Sequence, residues 1–413
     1  MSLKILHITS SHKGGAGIAA LRLHKALQNE GKNSAFLAKG LSIDFKNEIF
    51  DDQFFKYKKP TLLAKLKKKL SFDENHRTIK KFNIVKAKLD CEIVTIPISL
   101  LKVHEHPLVK EADIIHLHWV GSLIDYLTFF SETSKPIVWT LHDANPFMGV
   151  FHYPIDAYKN LNIQSWEERM LLLKKTALSK IKNGACVSPS KWLLEEVLKT
   201  NMFSNFKTQK VISNSINLEQ FAISYSKKNA REKLNISIDK KVILFISDSL
   251  EVERKGFDLL RKALEEIKDS FTLLTVGRGD VIIKNDKIKV KSLGFLDGSE
   301  NIAQAYYAAD VLVLPSLEDN LPNTMLESFS CGTPIISFKV GGMKEHVIEN
   351  INGVLADEIS SNSLKNSILR FFKNPNKPTS EIIRNYAKVN FSPEKQALAY
   401  IEIYRSLGNN NSI

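Results

Sequence analysis

Two carboxylates eight positions apart carry the clearest chemical signal in the chain. Asp319 stands in the segment SLEDNLPNTMLESFSCGTP, ahead of a helix predicted over residues 323–330, and Glu327 falls inside that helix. Ionised carboxylates only accept hydrogen bonds, so one suits the hydroxyls of a sugar and the other a ribose diol. The helix start, with Asn320, Asn323 and Thr324 beside it, turns amide groups and the positive end of the helix dipole toward a ligand, which favours a diphosphate. A solvated surface charge or a helix cap is the plainer reading of either acid alone. Upstream, Arg254 and Lys255 precede Gly256 and another expected helix. A basic pair so placed would neutralise a departing diphosphate, a role otherwise filled by a metal ion. In isolation the pair reads equally as a surface patch. No aspartate-rich D-x-D motif stands beside a strand end, so no metal is expected.

The chain also offers a glycine cluster and a set of histidines. Gly14, Gly15 and Gly17 follow the first apolar run in HKGGAG. Their spacing is neither the dinucleotide fingerprint G-x-G-x-x-G nor a P-loop. Two readings stand: backbone amides approaching a phosphate, or a tight strand-to-helix turn. His116, His118 and Trp119 close the run DIIHLHW, and His142 and Asp143 close PIVWTLHD.

These residues need elements to position them. The first half reads as a strand at 3–9, the glycine turn, a helix at 18–29 ended by Gly31, and strands at 33–38, 113–119 and 136–143. The second half alternates more regularly. Apolar runs at 241–247, 271–277, 310–316, 334–340 and 353–357 are separated by helical segments such as 256–267 and 323–330. Near-continuous apolar strands alternating with helices imply parallel sheets covered on both faces. In open sheets of this kind ligands bind outside the carboxyl ends of the strands. The candidate residues sit at those ends.

The α/β pattern predicts two Rossmann-like domains facing across a cleft, residues 1–205 and 206–391. The boundary lies near 205–210, after a helix at 191–198. A last helix at 392–407 returns to the first domain, and the polar tail 409–413 is expected to fray. A length of 413 residues suits two such cores. Three cysteines, Cys91, Cys186 and Cys331, give no zinc spacing and read as buried small residues. The net charge of +13 points to an anionic partner. Nucleic acid is not expected, since no recognition motif for it appears. No run of about eighteen apolar residues exists to span a membrane. The start MSLKILHITSS lacks the features of a signal peptide, so a cytoplasmic location is expected. The run KKPTLLAKLKKKL begins at Lys58 and ends at Leu70, with Leu62, Leu66 and Leu70 in one helical stripe. It reads either as a helix packed on the core or as an anionic-membrane contact on the inner face of the cell membrane.

Together these features resemble the retaining glycosyltransferases of the GT-B fold, the family numbered four. The resemblance covers most of the chain, is strongest over 254–357, and is secondary at 3–31 and 136–153. The family's acid, seven residues, then glutamate is matched by Asp319 and Glu327, followed by SFSCGTPIIS and VGGMKEHV. The resemblance implies that Glu327 holds the nucleotide's ribose, that Asp319 contacts the donor sugar and that Lys255 binds the diphosphate. It further implies that the GGAG loop is the first-domain glycine loop and that His142 lies near the transferred sugar. TLHDANPFMGVFHY and SLEDNLPNTMLE are similar to a subgroup associated with bacterial surface polysaccharides.

Three departures stand out. The first motif acid is aspartate, Pro322 replaces a glycine, and the arginine usual upstream of the lysine is missing, with Asp248 and Ser249 near its place. The activity implied is retaining, metal-independent transfer of a hexose. The sugar would pass from a nucleotide-diphosphate donor to a glycan or lipid-linked acceptor in surface polysaccharide or lipopolysaccharide biosynthesis, with no cofactor. The alternatives are a GT-B nucleotide-sugar epimerase and a non-catalytic nucleotide-binding homologue. A nicotinamide oxidoreductase is disfavoured by the missing dinucleotide fingerprint.

Overall fold

The computed structural model describes residues 3–55, 74–221 and 226–408. The basic run from Lys58 to Leu70 and the tail 409–413 lie outside the described residues. The chain divides into two compact units. One comprises Met1–Pro189, Leu193–Ile212 and Ala397–Ile413, the other Ser190–Trp192 and Ser213–Gln396.

Among the described residues the first unit holds an eight-stranded sheet. In spatial order its strands are Ile49–Phe50, Leu41–Ile43, Asn33–Ala38, Lys4–Ile8, Ile114–Leu117, Ile137–Thr140, Gly184–Ser188 and Thr208–Val211. Leu41–Ile43 pairs antiparallel with both of its neighbours, and the remaining pairs are parallel. Chain direction across the sheet reverses between Lys4–Ile8 and Ile114–Leu117, where His7 pairs with His116. This is the switch point at which such sheets place ligands.

The helix after the first strand starts at Gly14, not at residue 18 as the sequence predicts. Gly14, Gly15 and Gly17 therefore form its first turn. Glycine's poor helix propensity hides that start in the sequence, but close packing demands it. A Cβ on Gly17 would lie 2.2 Å from the Ser11 carbonyl oxygen. The helix Pro393–Gly408 lays Ala397, Tyr400, Ile401, Tyr404 and Leu407 against Ile5, Leu27, Ile114 and Val138. That spacing is one apolar helical face. Two of its tyrosines also reach strand side chains. Tyr404 Oη lies 2.7 Å from His116 Nδ1, and Tyr400 Oη lies 2.6 Å from Thr140 Oγ1.

Among the described residues the second unit holds a six-stranded, wholly parallel sheet. Its spatial order is Ile288–Ser292, Phe271–Arg278, Val242–Ser249, Val311–Leu314, Ile335–Phe338 and Gly353–Ala356. Numbered within the unit this is the order 3-2-1-4-5-6 of a dinucleotide-type sheet. Alternate residues of one strand enter different cores. Val242 and Leu244 join Leu312, Tyr306, Met325 and Phe329 on one face. Ile243 and Phe245 join Val313, Phe257, Leu260 and Ile368 on the other. Burial on both faces explains why these strands read as unbroken apolar runs. The switch point falls between Val242–Ser249 and Val311–Leu314. The helices Phe257–Glu265 and Asn323–Ser330 follow these two strands.

Candidate functional site

The candidate residues fall into two groups, one in each unit. In the second unit the turn Glu253–Lys255 leads into the helix Phe257–Glu265 through Gly256. Gly256 has φ +70°, and a Cβ there would lie 1.8 Å from the Pro315 carbonyl oxygen. Only glycine lets this turn press so closely on the segment after the neighbouring strand. The contact brings the basic pair to the acid. Arg254 accepts at its carbonyl from Leu317 N at 2.8 Å and donates through Nη1 to the Glu318 carbonyl at 2.7 Å. It also reaches Asp319 Oδ2 at 3.3 Å, and Lys255 Nζ lies 2.5 Å from the same oxygen.

Burial differs between the two cations. The Arg254 side chain is 4% exposed and is built into the loop, whereas that of Lys255 is 25% exposed. Burial alone would raise the Asp319 carboxyl, but Lys255 and Arg254 outweigh it and hold the group below its ordinary value. The acid is therefore ionised at neutral pH.

Asn320 is buried and accepts from Ser190 Oγ at 2.6 Å, while its carbonyl accepts from Gly342 N. Asn323 and Thr324 open the helix Asn323–Ser330, half-buried. Pro322 occupies the cap position and supplies no side-chain cap. Glu327, also half-buried, accepts from Tyr306 Oη at 3.2 Å, and that hydroxyl lies equally far from the Thr324 carbonyl. Tyr306 was not legible as a site residue. It belongs to the preceding helix Ser299–Ala308, and only packing brings it to Glu327. Arg278 is a second such case. It closes a strand at the carboxyl edge and pairs with Asp248, near the place of the arginine that the family pattern leads one to expect.

In the first unit His142 follows Ile137–Thr140 and is part of a buried histidine chain. His7 Nδ1 lies 3.0 Å from His118 Nε2, and His118 Nδ1 lies 3.1 Å from His142 Nε2. Burial lowers all three imidazoles, His142 to about 4, with Asp143 acting against the shift at His142. They are neutral at pH 7. His7, His116 and His118 place ring nitrogens within 4.8 Å of one another, close enough to hold a metal ion. Those nitrogens are largely committed to other groups. His116 meets Thr140 Oγ1 and Tyr404 Oη at 2.7 Å each, and His118 meets His7 and His142.

Beside this chain Asp143 Oδ2 lies 2.6 Å from His152 Nδ1 and accepts from Trp119 Nε1 at 2.8 Å. Burial raises the Asp143 carboxyl, yet His152, Asn145 N and Trp119 together hold it below its ordinary value. Lys174 is fully buried and donates to the carbonyls of Asn145 and Met148. Burial brings its amine down to about 7. His118, Trp119, Trp139, His142, Asp143 and His152 line a small cavity.

Residues 240–374, which contain Arg254, Lys255, Asp319 and Glu327, match the family model described as glycosyl transferases group 1. An uncharacterized glycosyltransferase of Methanocaldococcus jannaschii is 31% identical over 190 residues, 43% of this chain and 48% of its own. The chain thus spans about half the length of that relative. Among solved structures, sucrose-phosphate synthase from Thermosynechococcus elongatus superposes with a TM-score of 0.68 at 20% identity, covering 99% of this chain and all of its own. Anabaena HepE in complex with UDP-glucose gives a TM-score of 0.64 at 18% identity, covering 98% of this chain and all of its own. The two Rossmann-like sheets are the fold of these two structures, and residues 240–374 carry the sequence likeness to group 1 glycosyl transferases.

Proposed function

We propose that the protein is a retaining glycosyltransferase that moves a hexose from a nucleotide-diphosphate sugar to a glycan or lipid-linked acceptor. The observation that carries this reading is the cluster of Arg254, Lys255 and Asp319 at the switch point of the second sheet. It sits in a segment with group 1 glycosyl transferase sequence. Two cations converge on one carboxylate oxygen, where a diphosphate would dock. In this reading Lys255, the more exposed cation, binds the leaving phosphates, and buried Arg254 adds charge and holds the Glu318–Asp319 loop. The first amides of Asn323–Ser330 add their dipoles. These groups supply the charge stabilisation that a divalent ion supplies elsewhere, so transfer is proposed to be metal-independent.

Glu327 accepts from the ribose hydroxyls of the nucleotide and Asp319 from a hydroxyl of the sugar. His142 orients the transferred sugar. The acceptor hydroxyl attacks the anomeric carbon on the face the phosphate leaves, and the departing phosphate oxygen takes its proton. Anomeric configuration is retained. A structural neighbour solved with UDP-glucose makes a uridine nucleotide the first donor to try. Surface polysaccharide or lipopolysaccharide assembly, at the inner face of the cell membrane, is the proposed setting.

A thermal-shift screen against UDP, GDP, ADP and their sugars, with and without EDTA, tests the reading. An EDTA-insensitive rise with one nucleotide, lost in Glu327→Ala, is the expected result. No rise with any nucleotide would remove the donor site.

A further inference from the structure

We infer that His7 and His118 are positioning residues that fix the tautomer of His142, leaving its single proton on Nδ1. His142 then acts as a hydrogen-bond donor to an oxygen of the bound sugar or phosphate and not as a base. The inference rests on the proposed assignment of the transferred sugar to His142, and it concerns residues to which that assignment gives no part.

A neutral imidazole has one N–H and one lone pair. His7, His118 and His142 make two successive nitrogen–nitrogen contacts at 3.0 and 3.1 Å. Each contact needs one proton, so the protons must all point the same way along the chain. Run toward His7, they leave an N–H on His7 Nε2. Run toward His142, they leave only a lone pair there. His7 Nε2 is buried and has no hydrogen-bond partner. A buried N–H without an acceptor is among the rarest defects in native proteins, because a donor so placed loses its full hydration. The outward direction avoids it. The opposite end of the chain, at His142, is only half-buried, where an N–H can be satisfied.

Protonating a ring would break this logic by making both nitrogens donors. Burial holds all three rings well below their ordinary value, which keeps them neutral. Stacking also holds the middle ring in place. His116 lies 4.2 Å from His118 between ring centres, and its own nitrogens are taken by Thr140 and Tyr404. In the outward direction the Nε2 lone pair of His142 accepts from His118 and cannot accept a proton from an attacking hydroxyl.

The test is a long-range proton–nitrogen correlation spectrum of the full chain with nitrogen-15 histidine at pH 7.5. The His142 signals are assigned by their loss in His142→Asn. The expected result is a His142 ring protonated on Nδ1, in about tenfold excess or more over the other form. His7→Asn places an amide N–H near the former Nδ1 and keeps that preference. His118→Leu removes the donor to His142 Nε2 and shifts His142 toward a mixture. A wild-type ring protonated on Nε2 would overturn the inference whether or not the variants fold. So would a His118→Leu spectrum that keeps the Nδ1–H form unchanged. The same sample titrated with UDP, GDP and ADP separates the two readings. Absence of nucleotide binding sinks the donor site and leaves the tautomer result standing.

Discussion

Lys255 Nζ lies 2.5 Å from Asp319 Oδ2, the same oxygen that Arg254 Nη1 approaches at 3.3 Å. One carboxylate therefore answers two cations. The arrangement holds the acid ionised. The two cations differ in what they do for the fold, because one is a quarter exposed and the other is enclosed.

That difference separates two substitutions. Lys255→Ala is expected to lower transfer by about a hundredfold to a thousandfold, the size of one lost charge-stabilising contact, with little change in Tm. Arg254→Ala leaves the Glu318 carbonyl without its donor and costs about 3 kcal/mol of stability. Initial rates beside calorimetric melts check both. A Lys255→Ala protein with wild-type rates would show that Lys255 does not bind the leaving group.

Glu327 and Tyr306 give a graded pair. Tyr306→Phe removes a hydrogen bond that orients the carboxylate and is expected to raise the Kd for nucleotide about threefold to tenfold. Glu327→Ala removes the acceptor itself and is expected to raise it by at least tenfold. Isothermal titration reads both. If the two variants bind as tightly as wild type, the ribose assignment to Glu327 is wrong.

Gly256 ties the local fold to the site. Alanine there meets the Pro315 carbonyl and a left-handed backbone together, so Gly256→Ala is expected to cost about 3 kcal/mol or more. It should also pull Lys255 away from Asp319. A variant with unchanged urea midpoint would mean that the turn relaxes freely.

The parts of the fold legible in the sequence are those in which burial writes an unbroken apolar pattern. VILFIS and VLVLPS announce central parallel strands because both faces are covered. The edge strand Ile288–Ser292 was not legible, since IKVKS carries two lysines and is partly exposed. The three-residue strand Leu41–Ile43 is too short to leave a period. In the site, the spacing of Asp319 and Glu327 and the Arg254–Lys255 pair stand out because chemistry restricts the residue types. Tyr306, Arg278 and His7 do not, because what they touch is set by tertiary packing. His7, His116, His118 and His142 show the limit well. Each is visible as a polar residue in or just after an apolar strand, yet only sheet register and ring geometry turn them into a hydrogen-bonded chain.

The buried histidines also set how the protein responds to acid. His7, His24, His116 and His118 are at most 2% exposed. Burial lowers each from the ordinary value of 6.5, His24 to about 4. A depressed folded value means that the unfolded chain binds more protons below pH 6.5. Their contribution to stability is therefore complete above that pH and declines as pH falls toward the folded values. Each such group removes about 1.4 kcal/mol per pH unit inside the window, so the four together remove on the order of 5 kcal/mol by pH 5.5. That is comparable to the whole stability of many domains, about 5–15 kcal/mol. Asp143 and Asp319, whose values are also depressed, begin to cost stability only below about pH 4, their ordinary value being 3.8. Urea midpoints measured from pH 7.5 to 4.5 are expected to fall steeply below pH 6.5, and His24→Phe should flatten that slope by one histidine's share, about 1.4 kcal/mol per pH unit. A midpoint constant from pH 7 to 5 would mean that these imidazoles are not held neutral in the folded state.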